Sequence, residues 1–277
     1  MGLTIHYSFK TQSDDGQARE LIHALHQTAQ DLPFKELGQV VELSGEHCDP
    51  NKRPKDDPLR WLLIQATESV EAKPKGGKKN QGWTTSFTVS PSWLVAFTAW
   101  AGEGCEESNF GLCRYPAGIQ TPDGLLRIER GWRWSSFCKT QYASNPQCGG
   151  VANFLRCHLT VIAMLDRAKQ LGCLEEVSDE GGFWEKRDLP ALVREIGSWN
   201  EMIAAFGGKL KDLVGNGPPN LEAPIAQFPN FEQLEAAGQD KLPPELHKLF
   251  ALMGRVAVTP HEGAEAGRET VPVPPSP

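Results

Sequence analysis

The chain has 277 residues, a net charge of −7 at neutral pH, seven cysteines and an ordinary share of apolar and charged residues, enough to bury a core in one large domain or two small ones. The acidic balance excludes a general electrostatic pull towards nucleic acid or an anionic membrane surface, and no apolar run is long enough to span a bilayer. The start, Met1-Gly2-Leu3-Thr4-Ile5-His6, lacks a basic region followed by an apolar stretch. No export signal is therefore expected, and with the odd cysteine count this predicts free thiols in a reducing, cytoplasmic setting.

The first segment alternates, with Leu3, Ile5, Tyr7 and Phe9 on one side and Thr4, His6 and Ser8 on the other, which predicts a half-buried strand. Ser13 is placed to cap the next helix, with Asp14 and Asp15 at its positive end, and Ala18, Leu21, Ile22, Leu25 and Ala29 recur at helical spacing. Pro33 stops that helix, and residues 39–43 read as a strand, giving a β-α-β opening. Residues 45–58 form a loop, 61–66 a buried strand, and 73–82 a basic loop that could touch a phosphate-bearing partner but reads first as a solvated hairpin tip, since no aromatic residue interrupts its lysines. Strands follow at 87–89 and 94–100.

Residues 101–118 read as a long irregular loop of varied chemistry, a feature more often functional than a short connector. Residues 132–142 read as a strand with Trp132, Trp134, Ser136, Cys138, Thr140 and Tyr142 on one face and Arg133, Ser135, Phe137, Lys139 and Gln141 on the other. A helix spans 151–171 and ends at Gly172. A strand at 174–178 and a turn at 179–182 precede a third helix, capped by Asp188 and broken at Gly207-Gly208. Residues 215–219 read as a linker, a short helix starts at Pro243-Pro244, and the tail from 260 to 277 has the composition of a disordered segment.

Four stretches resemble a group of uncharacterised bacterial proteins: Gly-Leu-Thr-Ile-His-Tyr-Ser at the start, Phe-Cys-Lys-Thr-Gln-Tyr-Ala at 137–143, Asn-Phe-Leu-Arg-Cys-His at 153–158 and Asp-Glu-Gly-Gly-Phe-Trp-Glu at 179–185. The resemblance covers most of residues 1–214 and implies no activity and no residue roles.

Four cysteines, Cys105, Cys113, Cys138 and Cys148, fall in one stretch, but without a close Cys-x-x-Cys pair structural zinc is not expected, and neither is a cofactor. His158 falls in the apolar arc of Phe154, Leu155, Val161, Ile162 and Leu165, so it faces the core. It is either a satisfied buried imidazole or a proton-transfer group below a pocket. Cys138 could form a nucleophile pair with His158, or simply pack. The acidic groups Glu103, Glu106 and Glu107, and Asp179, Glu180 and Glu185, suit glycoside hydrolysis, Mg²⁺ binding or, more commonly, plain solvation. No phosphate-binding glycine loop, serine nucleophile elbow, zinc-protease or deaminase signature is present in the sequence.

The sequence thus predicts an α+β fold: an antiparallel or mixed sheet with three main helices, in one domain over 1–214 or in two related halves, 1–100 and 101–214. The primary functional expectation is a module binding a small molecule or protein, with no nucleic acid and no membrane. Its site is expected at residues 103–142, with Glu103, Asn109, Arg114, Trp134, Lys139, Gln141 and Tyr142 as ligand-binding candidates. The second is an unusual hydrolase or transferase using Cys138 or an acid such as Glu106 with His158. Residues 103–114 are expected to lie along the 132–142 strand and rim the main cavity, with His158 beneath.

Overall fold

The computed structural model describes residues 3–72, 85–122, 124–128, 131–214, 224–238 and 241. Its elements begin with β1 (Thr4–Thr11), α1 (Asp15–Gln30), β2 (Glu36–Leu37), β3 (Val41–Ser44), α2 (Leu59–Ala66), β4 (Glu68–Ala72), β5 (Thr85–Val89) and β6 (Trp93–Trp100). They continue with β7 (Glu107–Arg114), β8 (Gly118–Thr121), β9 (Gly124–Arg127), β10 (Trp132–Lys139), α3 (Gly150–Gln170), β11 (Leu174–Asp179), α4 (Phe183–Lys186), α5 (Leu189–Val214) and α6 (Phe231–Gly238). The fold is α+β. Seven strands form one sheet in the order β11-β1-β10-β7-β6-β2, with β3 also on β6, and every pairing is antiparallel. Strands from both proposed halves are interleaved in this sheet, since β1 lies between β10 and β11.

Register sorts the side chains. Ile5 lies opposite Cys138, Tyr7 opposite Ser136 and Phe9 opposite Trp134, so these share one face; His6 opposite Phe137 and Ser8 opposite Ser135 share the other. The first face is the core. Tyr7, Phe9, Phe97 and Phe110 form one ring cluster, and His26 of α1 meets Phe97 edge-on at 4.9 Å. Each such buried side chain contributes about 1.5–3 kcal/mol. Over β6 and β7 the second face is also covered, because Tyr115 Oη donates to Ala66 O at 2.7 Å and Asn109 Nδ2 to Gln65 Oε1 at 2.6 Å, fixing α2 there.

β7 and β10 do not zip together along their length. Arg133 pairs with Cys113, and Glu106 N donates to Lys139 O at 2.9 Å towards the far end. Between these points Asn109 O accepts from Tyr7 Oη and from Trp134 Nε1, both at 2.8 Å. Two aromatic side chains therefore fill the gap and satisfy the carbonyl that a neighbouring strand would otherwise engage.

Several local expectations need correction. Residues 61–66 belong to a helix: Leu62, Leu63 and Ala66 are buried at helical spacing while Trp61 is exposed, and Asp57 Oδ1 accepts from Leu59 N at 2.8 Å at its start. A short apolar run does not by itself distinguish the two periods. Residues 107–114 form strand β7 rather than loop. Positions 108–113 are buried on both faces, so polar Ser108 and Asn109 hide the alternation. Gly111 is required there, because a Cβ would come within 2.6 Å of Ala96 Cβ. Strand β10 stops at Lys139, and Gln141 and Tyr142 lie in a 3-10 turn. Asp14, not Ser13, caps α1 through Gln17 N at 2.9 Å, because Ser13 is bonded to Thr11 Oγ1.

At the second long helix, Gly172 has φ +75 and ends α3 as expected. α5, capped by Asp188 Oδ1 on Ala191 N, runs through Gly207-Gly208 without a break. Its partner there is α6, an element absent from the sequence reading, which comes so close that a Cβ on Gly238 would fall within 1.9 Å of Glu201 O. The basic loop at 73–82, the linker at 215–219, the helix at 243 and the 260–277 tail lie outside the described residues.

Candidate functional site

The sequence-derived candidates separate into several places. His158 is wholly buried, and both ring nitrogens are engaged: Nδ1 with Thr140 Oγ1 at 3.0 Å and Nε2 with Asp179 Oδ2 at 3.2 Å. Asp179 also accepts from Gly181 N at 2.8 Å and Trp184 N at 2.9 Å. Burial pushes its carboxyl up, but the His158 bond and these two backbone N–H groups outweigh it, and the net result lies below the usual carboxylate range. This set joins α3 to the end of β11 and to the turn before α4.

Cys138 stands elsewhere, with its thiol against Cys105 Sγ at 3.5 Å and Glu106 O at 3.3 Å. It shares no hydrogen bond with His158. Glu106 is exposed and reaches only Lys139 N, at 3.3 Å.

The ligand-binding candidates likewise have other partners. Glu103 pairs with Lys35. Arg114 pairs with Asp15 at 2.6 Å and covers the Trp93 and Trp132 rings. Gln141 is buried between Leu3 N and Asn200 Oδ1, both at 3.2 Å. Lys139 lies over the Tyr142 ring at 4.6 Å. Residues 103–114 do run along β10, yet neither they nor His158 line either of two cavities formed by the described residues.

One of those cavities sits where the second face of the sheet is left uncovered, over β11, β1 and β10. It has a volume of about 460 Å³ and is lined chiefly by His6, Ser8, Gln65, Ser135, Phe137, Glu176 and Ser178, a size typical of small-molecule sites. Strand geometry produces it. In the register His6 faces Phe137 and Ser178, and Ser8 faces Ser135 and Glu176, so three adjacent strands present one polar patch. Phe137 is 38 % exposed on that otherwise polar face, with the His6 ring 5.9 Å away.

Gln65 forms one wall, and its orientation is imposed from behind. Thr98 Oγ1 donates to Asn109 Oδ1 at 2.6 Å, and Asn109 Nδ2 donates to Gln65 Oε1 at 2.6 Å. The Gln65 carbonyl is thus turned towards Asn109, and its amide N–H₂, a double donor, has no protein partner among the described residues. Asn109, a ligand-binding candidate from the sequence, reaches this cavity only through Gln65. Glu176 is exposed, and its side chain likewise makes no hydrogen bond or ion pair among the described residues. The neighbouring cations are already neutralised, as Glu175 pairs with Lys10 at 3.3 Å and with Arg133 at 3.5 Å.

The signal that could have located this patch was Phe137 on the polar side of an alternating strand. Its partners on β11 and α2 follow only from long-range pairing. Family models, curated proteins and solved structures were compared with the chain, and none matches. Among the described residues no helix is long and apolar enough to cross a membrane, and no group of three His, Cys, Asp or Glu is placed to hold a metal ion.

Proposed function

We propose that the chain is a cytoplasmic ligand-binding module of the uncharacterised bacterial group that its motifs resemble, with α1, α3 and α5 as its supporting helices. Its site is the open sheet face at His6, Ser8, Gln65, Ser135, Phe137, Glu176 and Ser178. The observation that carries this reading is the Gln65 amide, aligned by Asn109 and without an acceptor among the described residues, in the same cavity as an exposed phenyl ring. The lining holds one carboxylate and no Lys or Arg, which favours a neutral or cationic ligand over an anion. Three hydroxyls and an amide suit a hydroxyl-bearing molecule, Glu176 suits an ammonium, and Phe137 suits an apolar ring face. An amino sugar combines all three.

The alternative, a hydrolase or transferase built on Cys138 or an acid with His158, has less support. Those groups make separate sets of bonds, and His158 does not line the sheet-face cavity.

Glucosamine, titrated against the full chain and followed by thermal unfolding, is expected to raise the melting temperature in proportion to the logarithm of its concentration above the dissociation constant. Glu176→Lys is expected to remove that rise while leaving the unliganded melting temperature unchanged, since position 176 is exposed. An equal rise in the Glu176→Lys protein would place binding elsewhere.

A further inference from the structure

Three of the seven cysteines meet at the turn between β6 and β7. Cys105 Sγ is 3.5 Å from Cys138 Sγ, and Cys157 of α3, whose sulfur packs at Gly102 of the same turn, also neighbours Cys105. Cys105 is 8 % exposed, and Cys138 and Cys157 are buried. All seven thiols are free. Beside Cys157 stands Arg156, whose Nη2 is 3.4 Å from the sulfur and 2.9 Å from Asn153 Oδ1. Its Nη1 donates to Pro33 O at 2.9 Å and Ala101 O at 2.7 Å. Those partners are neutral, and no carboxylate pairs with Arg156 among the described residues.

The backbone is shaped around this contact. Gly102, at φ +150, admits the guanidinium, since a Cβ there would come within 2.1 Å of Arg156 Nη2 and 3.3 Å of Cys157 Sγ. Gly104, at φ +73, lets the turn lie against Tyr142 O, which a Cβ would approach to 2.3 Å. A turn that only linked two strands would not need to seat a guanidinium against a thiol.

We infer that Cys105, Cys138 and Cys157 form a site of reversible two-electron oxidation by hydroperoxides, in which Cys157 reacts first and a Cys105–Cys138 disulfide is the product. The Cys157 thiolate attacks the peroxide oxygen; the O–O bond breaks, giving a sulfenic acid and an alkoxide or hydroxide that takes the Cys105 proton. The Cys105 thiolate then displaces hydroxide from the sulfenic sulfur, forming a Cys105–Cys157 disulfide. That hydroxide takes the Cys138 proton and leaves as water. The Cys138 thiolate, already in contact with Cys105, attacks its sulfur and releases Cys157 as thiolate. In sum, two thiols are oxidised to one disulfide, and one hydroperoxide is reduced to an alcohol and water.

The electrostatics agree with this order. The neighbouring Cys105 thiol and then the Arg156 guanidinium, 3.4 Å from the sulfur, outweigh burial and hold the Cys157 thiol below the usual thiol range. Cys105 itself is pushed up by its contacts with Cys138 and Cys157 and by burial. The product would tie the turn before β7 to β10, at the end of the open seam between those strands.

The test uses the full-length reduced protein, hydrogen peroxide at one equivalent, thiol counting in denaturant and peptide mapping without reductant. The expected result is loss of two of the seven thiols, a Cys105–Cys138 cross-linked peptide, and full recovery with dithiothreitol. Cys157→Ser is expected to slow formation of that cross-link by about tenfold or more. Cys157→Ala serves if the serine variant does not fold. A cross-link at another pair, loss confined to the more exposed Cys148, or an unchanged rate in the Cys157 variants would overturn the inference.

Discussion

Trp134→Ala is expected to destabilise the fold by about 3–5 kcal/mol, the range for emptying a large aromatic from a core. Trp134 is 2 % exposed and fills the opening between β7 and β10. Its ring lies so near Gly111 that a Cβ there would come within 3.1 Å of it. Neighbouring strands cannot close over the vacated space, because Arg133 with Cys113 at one end and Glu106 with Lys139 at the other fix their separation. Asn109 O keeps its bond from Tyr7 Oη, so most of the loss is packing. Trp134→Phe should therefore cost much less, about 1–2 kcal/mol. Urea unfolding measures both; a loss below about 1 kcal/mol for the alanine variant would mean the indole is not a wedge.

His158→Phe is expected to cost about 3–5 kcal/mol, the range for removing one partner of a buried pair. The phenyl ring keeps the volume but leaves Asp179 Oδ2 and Thr140 Oγ1 without the imidazole. Glu106→Ala, by contrast, removes an exposed carboxylate and should stay within about 0.5 kcal/mol. The Asp179 carboxyl also sets the sign of an acid limb. Its folded pKa lies below the unfolded value, so its contribution is fully present above the ordinary carboxylate range near about pH 4 and is lost as pH falls through the folded value. Asp179→Asn should flatten that limb. A His158→Phe protein as stable as the parent, with an unchanged acid limb, would remove the structural role assigned to this pair.

The elements legible in the sequence were those with one long, uncontested period. β1 and α3 follow from alternation and from the helical arc around His158, and the Gly172 and Asp188 signals mark real helix boundaries. β7 was hidden because both its faces are buried, and α2 because six residues do not resolve a period. Three of the four quoted stretches acquire a physical meaning only in the fold: Cys138 and Thr140 from one, Arg156, Cys157 and His158 from another, and Asp179 from a third converge around α3. None of the ligand-binding candidates chosen for their chemistry lines the sheet-face cavity, since Trp134, Gln141 and Asn109 spend their polar atoms inside the protein. The cavity residues were individually plain, and three strands and a helix had to be assembled before they made a patch.

The most direct test of the proposed site is a titration of the ¹⁵N-labelled full chain with glucosamine, read as backbone amide shifts. Binding at the sheet face predicts saturable shifts grouped at His6, Ser8, Gln65, Ser135, Phe137, Glu176 and Ser178, abolished in Glu176→Lys. Saturable shifts grouped instead along residues 103–114 and at Tyr142, or no saturable shift at any residue, would contradict it.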